Sequence, residues 1–186
     1  ACVLNSCALS RVGITDETEE PRGGVIDRDL HSGQPSGMLF EMNDHIENRM
    51  PPISPGEMER GVRLANEIFL SMGITSLQDA SVSNNISSWN FFRQLRESET
   101  LVPRLSVMIG LRYLPELLNE GFSPRYGTND MRLGALKVII SEARGALHPS
   151  LDELKKMVAE AHNHGFQVAM HAVEENTVQA AVSALE

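Results

Sequence analysis

Cysteine is almost absent from this sequence. Cys2 and Cys7 are the only two in 186 residues. Two thiols so close to one end cannot form the disulfide framework of a secreted scaffold, so a reducing, cytoplasmic setting is expected. Basic residues are also scarce: 16 Lys and Arg stand against 25 Asp and Glu, a formal net charge of -9. A phosphate backbone demands clustered cations, so no nucleic-acid partner is expected. The acidic excess reads as a solvated surface. No apolar run nears the roughly 20 residues a membrane helix needs. No charged-then-apolar leader opens the chain, and no membrane partner is expected. What is present is globular, 41% hydrophobic and 22% charged, and long enough for one ordinary domain with a sizeable core.

Residues 1–56 are crowded with turn signals: "PRGGV", "HSGQPSG" and "MPPISPG". Apolar alternation is weak there, and "GMLFEM" is the one apolar cluster. The segment predicts a long irregular excursion with short pieces of structure, a feature that usually covers or serves a site.

From Ser54 the pattern becomes regular. "SPGEMERGVRLANEIFLSMG" opens on a cap candidate and shows one apolar helical face before Gly73. The strand "ITSLQDA" follows and ends in Asp79. Then come the helix "SSWNFFRQLRES", the strand "RLSVMIG", the short helix "YLPELLNEG" and the strand "ALKVIIS". "SLDELKKMVAEAHNHG" has a capping box in Ser150 and Glu153. "FQVAMHA" is the fourth strand, and "ENTVQAAVSALE" begins another helix. The expected strand starts Ile74, Leu105, Leu136 and Gln167 are each 31 residues apart. Apolar strands separated by helices imply parallel neighbours buried in an α/β fold. A (β/α)8 barrel is the natural product of such a period, and a doubly wound sheet is its rival. Four strands make half a barrel, with two unpaired edges that point to self-association as a homo-oligomer or to a missing remainder. The start at Ala1 and the stop inside a helix predict a piece of a longer protein.

Reactive groups of a β/α barrel sit at the C-terminal strand ends. Asp79 and His171 have that position, and Lys137 lies nearer mid-strand. A strict 31-residue register sets His171 against Ile140, the wrong parity for sharing a face with Lys137. A shift of one residue, pairing Lys137 with Ala169, corrects it. Each residue also has a structural reading. His171 is a hydrogen-bonded strand-end histidine, Lys137 an ion-pair partner of Glu142, and Asp79 a cap for the next loop. His162 and His164 lie two apart on a helix, so they point to different faces and read as structural.

"MGITSLQDA", "RLSVMIG", "LKVIISEARGALHPSLDEL" and "GFQVAMHAVEENTVQAAVSALE" together resemble the YtcJ-like branch of the amidohydrolase superfamily. "NSCAL…GGVIDRDLHSGQPSGMLFE" resembles the excursion those proteins carry between their first two barrel strands. The resemblance implies a metal-dependent hydrolase on a partial (β/α)8 TIM-type barrel, about strands 2–5, over residues 57–186. It implies a small-molecule amide or cyclic amide substrate and a divalent metal, zinc above all, in one or two ions. It makes His171 the fifth-strand metal ligand. Lys137 becomes the fourth-strand lysine, carboxylated and bridging two metals in many relatives. Asp79, by its strand-end position, is a catalytic or substrate-side candidate beside Lys137, while the resemblance sets Glu41 and the Gly23–Gly24 pair at the substrate entrance. The first-strand His-x-His, a sixth-strand histidine and an eighth-strand aspartate of the family have no counterpart in this sequence. "SEARG" replaces the Asp-Gly that follows the lysine in many relatives. With two candidate ligands, this chain alone is expected to be metal-poor and inactive. Two rival readings remain: a Schiff-base lyase that uses Lys137, and a non-catalytic half-barrel interaction module.

Overall fold

The computed structural model describes residues 1–21, 24–143 and 145–186; Gly23 and Arg144 lie outside them. The chain divides into two compact units, Ala1–Ser54 and Pro55–Glu186.

The first unit is more ordered than its turn density suggests. It holds β1 (Cys2–Val3), α1 (Ser6–Arg11), β2 (Val25–Arg28), β3 (Pro35–Phe40) and α2 (Asn43–Glu47). The strands form an antiparallel sheet in the order β1-β3-β2. Asn5 caps α1, its side chain accepting from the Ala8 amide at 2.9 Å. Val12, Ile14, Ile26, Leu39, Met42 and Ile46 make a small separate core. Gly37 is required where β3 meets the chain after β1. Its φ is +97°, and a Cβ there would collide with the Leu4 carbonyl oxygen. Strands this short supply too few alternating residues for a period to show in the sequence.

The second unit contains α3 (Pro55–Ser71), β4 (Ser76–Asp79), α4 (Ile86–Glu97), β5 (Arg104–Gly110), α5 (Leu114–Asn119), β6 (Met131–Ile139), a hairpin of β7 (Ser141–Ala143) and β8 (Ala146–His148), α6 (Leu151–Asn163), β9 (Val168–His171) and α7 (Glu175–Ser183). The four long-range strands form a curled parallel sheet in the order β4-β5-β6-β9. Val107, Ile109, Leu133, Leu136 and Val138 point to one face, where they share a single core with Leu117 of α5 and Leu154 and Val158 of α6. Val62 of α3, Trp89 and Leu95 of α4, and Ala180 of α7 join the same core. All five helices therefore cover one side of the sheet. That is the layering of a β/α barrel, compatible with part of a TIM-type barrel, and not of a doubly wound sheet. No helix among the described residues is long and apolar enough to cross a membrane.

The sheet departs from an even period. Leu77 pairs with Leu105, Gly110 with Lys137, and Lys137 with Ala169, so the steps are unequal. β6 starts at Met131, well before "ALKVIIS". Val107 pairs with Leu133 but Ile109 pairs with Leu136, which leaves one extra residue on β6 at Gly134–Ala135. This bulge reverses the parity of β6, so that Leu133 and Leu136 both reach the core. The hairpin β7–β8 was not expected from sequence. Its strands have three residues each, too short to show a period.

The capping box of α6 forms as the sequence predicts. The Ser150 side chain accepts from the Glu153 amide, and the Glu153 carboxylate accepts from the Ser150 amide at 3.0 Å and hydroxyl at 2.7 Å. The Ser150 side chain and amide hold the Glu153 carboxyl below its ordinary pKa. Ser150→Ala is expected to cost about 1 kcal/mol at neutral pH. A depressed folded-state pKa gives stability that is present above the ordinary carboxylate value and lost as pH falls through the depressed one. Thermal melts should therefore show the difference between wild type and variant shrinking in acid. A difference that stays constant down to pH values below the carboxylate range would refute the linkage.

Candidate active site

Two residue types set the site: an amine on a strand interior and an imidazole at the end of the neighbouring strand. The parallel register pairs Lys137 with Ala169 and Ile139 with His171. Lys137 and His171 therefore have the same parity and project from the same face. It is the face opposite the helix-covered core. Neighbouring strands lie about 4.8 Å apart and rise about 3.3 Å per residue, which separates the two Cα atoms by about 8 Å. The Ile140 amide donates to the His171 carbonyl at 2.8 Å, fixing the strand end. Lys137 is half-buried and His171 is exposed. Ile139, level with His171 on the neighbouring strand, is 42% exposed, so this face is open.

Glu142 does not neutralise Lys137. Its carboxylate accepts from the Asn176 side-chain amide at 2.9 Å instead. Among the described residues Lys137 makes no ion pair, and neither Lys137 nor His171 makes a side-chain hydrogen bond. A half-buried lysine without a counter-charge is costly unless something else compensates it.

Asp79 is placed differently. It pairs with Val107, a core-facing position, and so lies on the other side of the sheet from Lys137. Its carboxylate accepts from the Ser81 amide at 2.9 Å and the Asn84 side chain at 2.8 Å. Asn84 was not singled out from sequence, yet it is 7% exposed and also donates to the Met108 carbonyl at 3.0 Å. Its own carbonyl accepts from the Gly110 amide at 2.9 Å. Asp79 and Asn84 thus tie the loop after β4 across the end of β5. Gly110 lacks a side chain for the same reason: a Cβ there would collide with the Val82 carbonyl oxygen. Asn84 follows a strand-end Asp within one short loop, but nothing in the sequence says that the loop folds back. Thr177 was also missed. It is fully buried, accepts from the Val173 amide at 3.1 Å and donates to the Glu174 carbonyl at 2.7 Å. It thereby shapes the loop that follows His171.

Glu41 belongs to the first unit. It is exposed at the corner between β3 and α2, with φ of +51°. His164 sits at the end of α6 with Nδ1 2.9 Å from the Glu160 carbonyl, and His162 is exposed two residues earlier.

The donor chemistry bears on whether these residues suit a divalent metal. An unpartnered imidazole and an unpaired amine on one open face fit two positions of a ligand set. Among the described residues no group of three or more His, Cys, Asp or Glu could hold an ion, so the pair does not close a set of three or four.

Comparison with known proteins is consistent across sequence and structure. The chain is 24% identical over its full length to the YtcJ amidohydrolase-family protein of Bacillus subtilis (strain 168), of which it covers 39%. It is 37% identical, over 42% of its length, to the N-substituted formamide deformylase of Arthrobacter pascens, of which that stretch covers 15%. Crystal structures of uncharacterized metal-dependent hydrolases from Pyrococcus furiosus and Pyrococcus horikoshii share its fold. Their TM-scores are 0.66 and 0.67, at 16% and 17% identity. Each covers 98% of this chain, which spans 40% and 39% of theirs. The chain thus spans about two fifths or less of the relatives it matches. The amidohydrolase family matches residues 1–186, and on that match the chain belongs to the amidohydrolase family.

Proposed function

We propose that this chain forms the excursion after strand 1 and then strands 2–5 of the (β/α)8 barrel of a metal-dependent amidohydrolase. The intact enzyme hydrolyses a non-peptide C–N bond, an amide or cyclic amide, in a small cytoplasmic substrate. The observation that carries this reading is the shared open face of Lys137 and His171 at the C-terminal side of a parallel sheet. The likeness to a formamide deformylase supports an amide-type substrate.

His171 would contribute an imidazole nitrogen donor, and its side chain makes no competing hydrogen bond among the described residues. Lys137, once carboxylated, contributes an anionic oxygen pair in place of a half-buried ammonium, which removes the desolvation cost of the cation. A divalent ion, zinc by the N and O character of these donors, supplies Lewis-acid polarisation of the scissile carbonyl and an acidified water when bound. Asp79 acts through Asn84 and the loop it holds, keeping the rim beside β5 in place. Glu41 is assigned to the substrate entrance. Two donors cannot hold the ion tightly, so the 186-residue chain alone is metal-poor and catalytically silent.

The test is metal content and amidase activity of the intact enzyme, with and without His171→Ala. The variant should lose bound metal and activity together. Full activity at full metal occupancy in the variant would sink the assignment. The unpaired amine of Lys137 also suits a second reading, Schiff-base chemistry on a carbonyl substrate. Borohydride trapping of substrate on Lys137 would favour it, and loss of activity on chelation would favour the hydrolase.

A further inference from the structure

A concavity lies at the end of the sheet where β6 begins. It has a volume of about 730 Å³ and lies between α4 and the segment that leads into β6, within the size range of small-molecule pockets. Met131 forms part of its wall and begins β6. Lys137 is further along the same strand, roughly 20 Å away at 3.3 Å per residue, so this is not the active-site face.

Aromatic rings make one wall. Trp89 and Tyr126 line it with ring centroids 5.8 Å apart, and Phe122 packs against both rings, at 5.5 Å and 4.3 Å. Trp89 is 4% exposed and Tyr126 is 41% exposed, so the tyrosine offers a free surface while the tryptophan is held. Cations make the rim. Arg93 is 3.8 Å from Glu97 in an exposed pair on α4. Arg96 is 4.0 Å from Asp130, and its Nη1 donates to the carbonyls of Leu101, Val102 and Pro103, so Arg96 is held by the backbone and Arg93 is the freer of the two. The Arg96 Nε is buried without a hydrogen-bond partner among the described residues. Arg125 is exposed and, among the described residues, makes no ion pair or side-chain hydrogen bond. Its φ is +64°, a conformation that costs a non-glycine residue about 1 kcal/mol or more. Three arginines against two carboxylates form a positive spot on a chain of net charge -9.

The wall is built in advance. The Leu133 amide donates to the Tyr126 carbonyl and the Thr128 amide to the Met131 carbonyl, both at 2.7 Å. Gly127 has a φ of +118°, and a Cβ there would collide with the Met131 carbonyl oxygen. Tyr126 and Arg125 are thereby presented by a closed backbone turn and not by a free loop.

We propose that this pocket binds a small aromatic anion, its ring lying against Tyr126 and its anionic group meeting Arg125 and Arg93. A tyrosine face and an arginine fork complement that pairing of plane and negative charge. A cation would face three arginines, and a purely apolar ligand would leave Arg125 and Arg93 without an anion. The anion has two sources of the same chemistry, a nucleoside monophosphate or a free aromatic carboxylate.

Trp89 is the only tryptophan in the chain, so its fluorescence reports on this wall alone. The 186-residue chain is titrated with adenosine monophosphate and, separately, with benzoate. Adenosine and inorganic phosphate serve as the neutral and the ringless controls. A saturable change is expected with at least one aromatic anion, and the responding arm identifies the source. Both controls should bind roughly tenfold more weakly or not at all. Arg125→Ala and Tyr126→Ala should each weaken binding by about tenfold with an unchanged circular-dichroism spectrum, since both side chains are exposed. No saturable response to either aromatic anion at millimolar concentration would overturn the proposal. So would equal binding of either control, or unchanged affinity in Arg125→Ala.

Discussion

Lys137→Ala in the intact enzyme is expected to lower kcat/KM by at least about 10²-fold, since even partners that merely orient a metal ligand are worth 10–100-fold. The structural ground is the position of the amine. It is half-buried on the open face of the sheet, one strand away from His171 and without a counter-ion among the described residues. If Lys137 acts as a carbamate, its deletion removes an anion, and a short carboxylate such as acetate should restore part of the activity of Lys137→Ala. If it acts as a Schiff-base amine, acetate cannot substitute for it, and borohydride should trap the wild type. Steady-state kinetics with added acetate separate the two. Wild-type activity in the variant would remove Lys137 from the site altogether.

Leu136→Ala, one residue away, is expected to cost 2–5 kcal/mol of stability, the range for deleting a buried leucine side chain. Leu136 is fully buried, paired with Ile109 on one side and Val168 on the other. Against a total that is typically 5–15 kcal/mol, such a loss leaves little margin. Ile139→Ala is the informative contrast. Ile139 has the opposite parity and is 42% exposed, so its loss should cost well under half as much. Urea unfolding followed by circular dichroism measures both. Equal costs would mean that both faces of the sheet are packed, and the one-sided layering would be wrong.

The legible part of the fold was local. The apolar stripe of α6 and its Ser150–Glu153 box were plain in the sequence because a helix period and a cap need only neighbouring residues. The four parallel strands were plain because each is a short apolar run between helices. A strand-end position marks His171, and a lysine inside an apolar run marks Lys137, for the same reason. The long-range parts were not legible. The 31-residue period suggested a register in which those two side chains oppose each other in parity. The real pairing differs by one residue. Nothing near Gly134–Ala135 advertises the bulge in β6, because a bulge is defined by the partner strand and not by its own residues. Asn84 and Thr177 escaped notice because their burial depends on loops folding back across neighbouring strand ends. Asp79 looked like a reactive strand-end carboxylate, and only its pairing with Val107 shows which face it occupies.

The sequence by itself determined the five helices and the four parallel strands of the second unit, though not the antiparallel sheet of the first unit or the β7–β8 hairpin. Those outcomes follow from apolar spacing and chain connectivity within a few turns. Tertiary structure alone decided which side chains share a face, since register is set by hydrogen bonds between strands far apart in the chain. One inserted residue on one strand is enough to exchange the inside for the outside.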